Sequence, residues 1–303
     1  MAPSNSPRLR VLKTFKLYIG GAFPRTESGR FLQEHNPKGQ LVANFCRASR
    51  KDLRNSVVAA RKAQAGWAGR TPFNRAQILY RMAEVLESRR ESFEHALTER
   101  AGIKGAAAQA QVNAAIDRLV WYAGWADKFI QIMGTTNPVA SPHFNITSPE
   151  PTGVVTAFAP RNAPLLGLIT AIAPIIVSGN ALVLVVENDH PSIAIDLAEV
   201  LHCSDLPGGV VNILTGQRDE LIEHAAKHMD IDAIAAFDAT DDERRLIAVE
   251  AAESVKRTHF FETPAADNWA DVSAQSPYHI LPFVEFKTAW HPIESSAATS
   301  AKY

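Results

Sequence analysis

GVVTAFAPRNAPLLGLITAIAPIIVSGNALVLVV, residues 153–186, is the stretch that decides the fold. It opens with a short apolar run at 154–158 and ends with another at 181–186, and both are rich in β-branched residues. The longer apolar run between them, 164–178, has the length of a helix. We therefore predict a buried strand, a crossover helix and a second buried strand, which together make one unit of a parallel sheet covered on both faces.

The same stretch is a candidate membrane span, because no charged residue lies between Arg161 and Glu187. Prolines and glycines interrupt it, among them Pro164, Pro174 and Gly179. We predict a buried helix and a buried strand instead, and no membrane partner.

Strands and helices continue to alternate downstream. Apolar runs predict strands at 210–214 and 234–237, and the segments 192–203, 218–228 and 242–256 are predicted helices. This order predicts an α/β fold with a doubly wound parallel sheet, similar to a Rossmann fold. Open α/β sheets bind ligands beyond the carboxyl ends of their strands, so the loops APRNAP, VENDHP and LTGQRD are where a site is expected.

The regions on either side of the sheet have other patterns. Apolar residues at helical spacing predict three helices, at 52–68, 74–100 and 106–132, the first capped by Ser49 or Asp52. After Phe261 the chain is polar and aperiodic. FVEFKTAWHPI, at its far end, alternates apolar and polar residues and predicts one last strand.

Composition excludes several classes of protein. The 303 residues are 46% hydrophobic and 21% charged with a formal net charge of −1, which is ordinary for a globular protein and gives no attraction to nucleic acid. Cys46 and Cys203 are the only cysteines, so we predict no disulfide framework and a reducing, cytoplasmic location.

Several segments resemble the aldehyde dehydrogenase family in order and spacing. KLYIGGAFPRTESGRFLQEHNPKGQLVA resembles the opening hairpins of the family, and the 153–186 stretch and LPGGVVNILTG resemble its cofactor-binding domain. FVEFKTAWHPI resembles the family's final oligomerisation strand. The resemblance implies an aldehyde dehydrogenase cofactor domain with N-terminal helices and a C-terminal oligomerisation strand, an NAD(P) cofactor and a cysteine nucleophile that carries the acyl group.

The resemblance also divides the chain into seven parts. They are a flexible arm (1–13), the N-terminal hairpin and helical part of the cofactor-type domain (14–136), an oligomerisation segment (137–151), the Rossmann-like α/β part (152–262), a linker in place of the catalytic domain (263–277), the oligomerisation strand (278–293) and a tail (294–303). We expect segments 137–151 and 278–293 to join the chain to itself, to a full-length aldehyde dehydrogenase subunit, or to both.

The catalytic residues of the family have no clear counterpart. The nucleophilic cysteine belongs to the catalytic domain that the short linker replaces, and we predict structural roles for Cys46 and Cys203, since free cysteines are commonly buried small hydrophobes. Glu262 is one position away from the place of the family's catalytic glutamate and lacks the glycines after it, so we assign it no role as a base. Asn162 is the remnant of the family's oxyanion asparagine, and we expect it to hold a proline-flanked turn instead.

The cofactor positions implied by the resemblance are altered as well. These remnant positions are Pro160, Arg161, Asn162, Val185, Asn188, Gly216, Asp238 and Ala239. Val185 stands where the family has a lysine that binds the adenosine ribose, and Asn188 could supply only a neutral hydrogen bond. Ala239 and Arg244 replace glycines that let the backbone approach the diphosphate. The acidic residues after Ala239 suit a self-capped helix and repel a dinucleotide, so we expect NAD(P) binding to be weak or lost.

His224 and His228 stand four residues apart on a predicted helix, a spacing that can bind a metal. No further ligands follow them in the sequence, so we interpret them as solvent-facing side chains and predict no metal site.

Three functions fit these observations. The first is a catalytically deficient structural or regulatory subunit of a homo- or hetero-oligomer. The second is an NAD(P)-dependent aldehyde dehydrogenase that takes its nucleophile from a partner chain. The third is a small-molecule sensor that uses the remnant cofactor cleft.

Overall fold

The computed structural model of the protein describes residues 11–187, 189–262, 264 and 268–293, so the predicted tail and most of the predicted arm lie outside the described residues. Its strands are β1 (Thr14–Phe15), β2 (Phe31–His35), β3 (Leu41–Cys46), β4 (Thr135–Asn137), β5 (His143–Pro151), β6 (Val154–Phe158), β7 (Ala181–Val186), β8 (Val211–Thr215), β9 (Ala233–Phe237), β10 (Arg257–Phe261) and β11 (Val284–Pro292). Its α-helices are α1 (Arg50–Ala68), α2 (Pro72–Ser88), α3 (Arg90–Glu99), α4 (Gly105–Ala123), α5 (Lys128–Met133), α6 (Leu166–Val177), α7 (Ser192–His202), α8 (Ile222–Lys227) and α9 (Asp241–Ala252).

The central sheet has five parallel strands in the order β10-β9-β6-β7-β8. This confirms the predicted α/β fold with a doubly wound parallel sheet. Every residue of β6, β7, β8 and β9 is buried, as expected when helices cover both faces of a sheet. The sequence analysis missed the edge strand β10, because its sequence RTHFF is short and only its last residue is fully buried.

Helices cover the two faces of the sheet with different sets of side chains. On one face, which we call the α4/α6 face, residues such as Ala157, Leu184 and Phe237 pack with α4, α6 and α7. On the other, the α1/α9 face, residues such as Phe158 and Val185 pack with α1, α8 and α9. Successive side chains of a strand point to opposite faces, which is why Ala157 and Phe158 belong to different clusters.

The helix boundaries correct three predictions. The helix predicted at 74–100 is interrupted at Arg89 (φ −108°, ψ 12°), where no proline or glycine marks the break and the apolar spacing continues across it. The helix predicted at 106–132 ends at Gly124 and resumes as the short α5. The helix predicted at 218–228 is reduced to α8, which leaves 218–221 in a turn. In α1, Ser49 is the N-cap and forms a capping box with Asp52.

The N-terminal sheet, of order β1-β3-β2, is tied to the central sheet by the chain that follows β1. The Tyr18 amide donates to the Ile213 carbonyl (3.0 Å) and the Ile213 amide donates to the Tyr18 carbonyl (2.7 Å). Beside this bridge Gly21 (φ +81°) crosses Gly208, and a Cβ on Gly21 would lie 2.8 Å from the Gly208 Cα. Two glycines are therefore required where these segments cross.

A separate antiparallel sheet has the order β11-β5-β4. The strand predicted from FVEFKTAWHPI is found as β11, and it pairs with β5 from Val284 opposite Pro151 to Pro292 opposite His143. The resemblance implied pairing with a partner's sheet, whereas one edge of β11 is already paired within the chain. The described strands leave its other edge unpaired.

Residues 268–277 differ from the plain linker predicted at 263–277, and residues 278–283 differ from the strand predicted at 278–293, which begins only at Val284. They contain three short 3-10 helices, Val272–Ala274, Pro277–His279 and Leu281–Phe283. Trp269, Ile280 and Phe283 are buried in the core of the α4/α6 face. These apolar residues are spaced too irregularly to give a helical or strand periodicity, so the sequence pattern did not reveal their packing.

The uncharged stretch forms α6 and β7, and all 12 residues of α6 are buried within the protein. Among the described residues, no helix has the length and hydropathy required to cross a bilayer.

Candidate ligand cleft at the strand ends

The turns after β6, β7 and β9 meet at the carboxyl ends of three adjacent strands, and we call this place the strand-end cleft. The predicted positions that lie in or beside it are Pro160, Arg161, Asn162, Val185, Asp238 and Ala239. Gly216 follows β8, one strand further, and Asn188 lies outside the described residues. The structure therefore brings together most of the positions that the sequence predicted.

Arg218, which the sequence analysis did not select, fills this cleft. Its side chain is only 2% exposed, and Nη2 donates to the carbonyl of Phe237 (2.7 Å) and to that of Phe158 (3.4 Å). The guanidinium also lies 5.1 Å from the centre of the Phe158 ring. Burial lowers the pKa of Arg218, and the nearby carboxylate of Glu243 opposes that shift. The last residues of two strands are thus covered by a cation of the protein itself.

Carboxylates surround this guanidinium and that of Arg161. Glu243 Oε1 lies 3.6 Å from Arg218 Nε and 3.4 Å from Arg161 Nη2. Glu187 accepts a hydrogen bond from the Arg218 amide (3.2 Å), and its other oxygen lies 3.5 Å from Arg161 Nη2. The carboxylate of Asp238 accepts one from the Arg161 amide (3.0 Å). The charges of the cleft are therefore paired with one another.

The helix that begins at the cleft is capped by its own residues. Thr240 Oγ1 accepts from the Glu243 amide (3.2 Å), and Glu243 Oε2 accepts from the Thr240 amide (2.9 Å). Three acidic residues lie in the first turn of α9, where they complement the helix dipole. This confirms the self-capped helix predicted from the sequence. Arg244 adds a hydrogen bond from Nε to the Ala239 carbonyl (3.1 Å).

Local packing explains why a valine stands at position 185 and a glycine at position 216. Val185 is 1% exposed and lies between Phe158 and Leu214 in the sheet, so it packs in the core and donates no side-chain hydrogen bond. A Cβ on Gly216 would lie 3.1 Å from the amide nitrogen of Ala48, so a close backbone approach restricts this position.

The turn that carries Asn162 packs against the start of α6. Asn162 is exposed, and its carbonyl oxygen lies 2.9 Å from the place a Cβ on Gly167 would take. At the same helix end the side-chain oxygen of Gln111 accepts from the amides of Leu165 (3.0 Å) and Leu166 (3.4 Å). The side chain of Gln111 therefore occupies two backbone amides of a kind that is unpaired at many helix N-termini.

The residues of the strand-end cleft do not fit a dinucleotide. A diphosphate needs free amides and a close backbone approach at the start of a helix. Here Thr240 and Glu243 occupy the amides, Arg218 covers the strand ends, and Glu187, Asp238 and Glu243 would repel phosphate oxygens.

The candidate catalytic groups are dispersed. Cys46 is buried, but Cys203 is exposed at the end of α7, with Sγ 3.8 Å from Arg89 Nη2, so the argument from burial holds only for Cys46. Glu262 has a side chain that is 79% exposed and paired with Arg244 at 2.8 Å.

His224 and His228 are half-buried rather than solvent-facing. They line a surface pocket with Arg50, Arg54 and Lys227, and burial lowers the pKa of His228. A cationic wall opposes metal binding, and the described residues contain no group of three or more side chains able to hold a metal ion.

A second concave site lies on the α4/α6 face, between β10 and residues 268–279. This aromatic cavity has a volume of about 300 Å³, and its walls include Phe237, Phe261, Trp269, His259 and His279. Burial, together with the positive charge of nearby groups, lowers the pKa of His279 to about 4. In the part of the chain that the structure describes, the buried Trp269 Nε1 has no hydrogen-bond partner.

Arg118 lies behind the aromatic cavity and is 2% exposed. Its Nη2 donates to the carbonyl of Trp269 (2.7 Å) and its Nη1 donates to the hydroxyl of Thr170. Burial lowers the pKa of Arg118. The guanidinium of Arg118, on α4, therefore links Trp269 to Thr170 of α6.

Two signals in the sequence could have revealed Arg218. The loop LTGQRD was identified as a strand-end connection, and Arg218 is its only cation. The sequence analysis placed Arg218 on a helix, and this hid the direction of its side chain. A residue in the turn before α8 can point to the sheet, whereas one on the helix surface need not. Arg118 gave no comparable signal, since a charged residue on an amphipathic helix is usually exposed.

The fold and the loops at its strand ends define an α/β protein of the doubly wound, Rossmann-like class. The family model described as "Aldehyde dehydrogenase family" matches residues 24–268. The chain therefore belongs to the aldehyde dehydrogenase family.

Individual relatives agree with this assignment. The chain is 31% identical over 243 residues to an aldehyde dehydrogenase of Aspergillus niger, covering 80% of this chain and 48% of that protein. It is 29% identical over 243 residues to D-glyceraldehyde dehydrogenase (NADP(+)) of Thermoplasma acidophilum, covering 80% and 49%. The solved NAD+ complex of an aldehyde dehydrogenase from Bacillus cereus superimposes with a TM-score of 0.77 at 28% identity, over 82% of this chain and 51% of that one. The chain spans about half the length of the relatives it matches.

Proposed function

We propose that this chain is a catalytically deficient aldehyde dehydrogenase-like protein that acts as a structural or regulatory subunit. It assembles with itself, with a full-length aldehyde dehydrogenase, or with both, through segments 137–151 and 278–293. The observation that carries the proposal is Arg218, whose buried guanidinium occupies the strand ends where a cofactor would have to lie.

The sheet β11-β5-β4 supplies the assembly surface in this proposal. Its exposed large apolar side chains are Phe144 (45%), Ile146 (40%), Phe286 (47%) and Trp290 (59%). β11 has an unpaired edge among the described strands, and long exposed edges are normally covered in natural proteins. A partner strand would form main-chain hydrogen bonds along this edge and cover Phe286 and Trp290, which lie on β11 itself.

Native mass spectrometry tests the assembly. The tagged chain is purified gently from its native cells, and we expect an oligomer, either of this chain alone or with a full-length aldehyde dehydrogenase. Calorimetric titration of the same preparation with NAD+ and NADP+ should give no binding heat. A monomer that binds either dinucleotide at micromolar concentration would contradict the proposal and favour the NAD(P)-dependent enzyme.

A reversion variant tests the cause of the lost cofactor binding. It carries Arg218→Gly, Ala239→Gly, Arg244→Gly and Val185→Lys with neutral amides at 241–243. If the cleft is closed by these residues, NAD+ binding should become measurable by ligand-observed NMR. The matched control keeps Arg218 and changes only the other positions, and it should still fail to bind.

The aromatic cavity supports a second candidate function, a small-molecule sensor. The strand-end cleft, where the sequence placed this function, is filled, whereas the cavity beside Trp269 has room for a small aromatic or aliphatic molecule. A small molecule that stays with the protein through purification and is displaced by Ala274→Trp, which would fill the cavity, would favour this function.

A further inference from the structure

The free edge of β11 matches a second copy of itself. β11 runs for nine residues, VEFKTAWHP, and eight of them are exposed. In an antiparallel pair of identical strands related by a two-fold axis perpendicular to the sheet, one residue lies opposite its own copy. That central residue fixes every other pair.

Centring the pair on Thr288 gives two kinds of complementary neighbours. Glu285 then lies opposite His291 of the second copy, and Phe286 lies opposite Trp290. Each pair occurs twice because of the symmetry. Directly opposed aromatic pairs stabilise antiparallel strands, and the Glu285 carboxylate can accept a hydrogen bond from the His291 imidazole.

The adjacent registers are less favourable. Centring on Lys287 places two lysines opposite each other, and centring on Ala289 leaves Val284 and Glu285 of each copy without an opposite residue. Like charges that face each other directly across two strands are destabilising. Only the Thr288 register pairs all nine residues.

We infer that two copies of this chain join through β11, paired antiparallel about Thr288, into one continuous sheet of order β4-β5-β11-β11-β5-β4. The inference rests on the proposed function and specifies it, because it names a second copy as the occupant of this edge and gives its register. Phe286 and Trp290 share one face of β11, so the two copies would form a single aromatic patch across the axis.

Cysteine cross-linking of the full-length chain measures the register. In a Cys203→Ser background, Thr288→Cys places two thiols opposite each other, where antiparallel Cα atoms are about 4.5–5.5 Å apart and a disulfide fits. Ala289→Cys is the matched control, because in this register Ala289 faces Lys287 and its own copy is a diagonal neighbour about 7–8 Å away. We expect at least a tenfold faster cross-link for Thr288→Cys. Equal rates would overturn the register.

A charge exchange tests whether the contact is between copies. His291→Glu places two carboxylates opposite each other at both ends of the pair. We expect the dissociation constant of the dimer, measured by analytical ultracentrifugation, to rise about tenfold. Adding Glu285→Lys should restore the affinity. The two positions are about 20 Å apart on one strand, so a rescue within one chain is excluded. Circular dichroism verifies that each variant is folded, and Glu285→Lys alone controls for the contact of Glu285 with Arg257 at 3.9 Å.

These results separate the inference from the proposed function. A dimer with the Thr288 cross-link and the charge rescue supports both. A chain that is monomeric alone but joins a full-length aldehyde dehydrogenase overturns the inference and leaves the proposed function intact. A monomer that joins no aldehyde dehydrogenase overturns both.

Discussion

Polar groups have partners within the protein at the strand-end cleft, whereas the backbone groups at the outer edge of β11 have none among the described strands. In the cleft the guanidinium of Arg218 satisfies the carbonyls of two strand ends and carboxylates neutralise the guanidinium. At the edge of β11 the described structure supplies no backbone partner, and Phe286 and Trp290 remain exposed. In the function proposed above, the first region is the closed cofactor site and the second is the assembly surface. Each prediction below changes one side of this contrast.

The largest effect is expected at the open surface. Replacing Phe286 and Trp290 with glutamate removes the aromatic contacts and introduces repelling charges, so the assembly should dissociate at least about 100-fold more readily. Sedimentation velocity over a range of concentrations measures this change. Val249→Glu, at a position on α9 that is 61% exposed, is the control and should leave the assembly unchanged. Equal loss in both variants would show that the surface is not specific.

Arg218→Ala should destabilise the closed site. The substitution leaves the Phe237 carbonyl without its charged donor and opens a void over Phe158, so the free energy of unfolding should fall by about 2–3 kcal/mol. Chemical denaturation measures the loss. Arg161→Ala, at a more exposed cation of the same cleft, should cost less than about 1 kcal/mol. A smaller loss at Arg218 than at Arg161 would mean that the guanidinium does not hold the strand ends.

His279 should make stability fall in acid. The folded protein holds its pKa at about 4, below the ordinary value of 6.5, so the unfolded chain binds a proton that the folded chain excludes. The unfolding free energy should therefore decrease as pH falls from 6.5 toward 4, by about 1–2 kcal/mol after allowing for partial solvent screening, and this contribution should be absent above 6.5. Denaturation curves of the wild type and His279→Asn measure the difference, and parallel pH profiles would refute the assignment.

The smallest effect concerns the self-capped helix. Thr240→Ala removes one half of the capping box at α9 and should cost about 1 kcal/mol, whereas Thr240→Ser should cost little. Thermal unfolding of the two variants provides the comparison. If the alanine variant instead gained dinucleotide binding, the cap itself would be what excludes the cofactor.

The sequence predicts best those features whose interacting residues lie close together along the chain. β6, α6 and β7 were predictable because their apolar runs have the length and composition of single elements. The cap of α9 was predictable because its residues are neighbours in sequence. Arg118 was not, since its partner is the carbonyl of Trp269 on a distant element, and a carbonyl leaves no trace in a sequence pattern. For Arg218 the loop was predictable, but its carbonyl partners on β6 and β9 were not. Trp269 was assigned to a linker because the apolar residues around it are spaced too irregularly to give a periodic pattern.

The bridge between Tyr18 and Ile213 affects how the protein folds during synthesis. Beside that bridge the Gly20 amide donates to the Asn212 side chain at 2.9 Å, across 192 residues. A ribosome adds about 5–20 residues per second, so residues 17–21 must wait on the order of 10–40 s before their neighbours on β8 exist. During that interval Leu17 and Tyr18, both buried in the finished protein, are exposed on the nascent chain. Residues 17–21 therefore reach their final contacts long after they are synthesised.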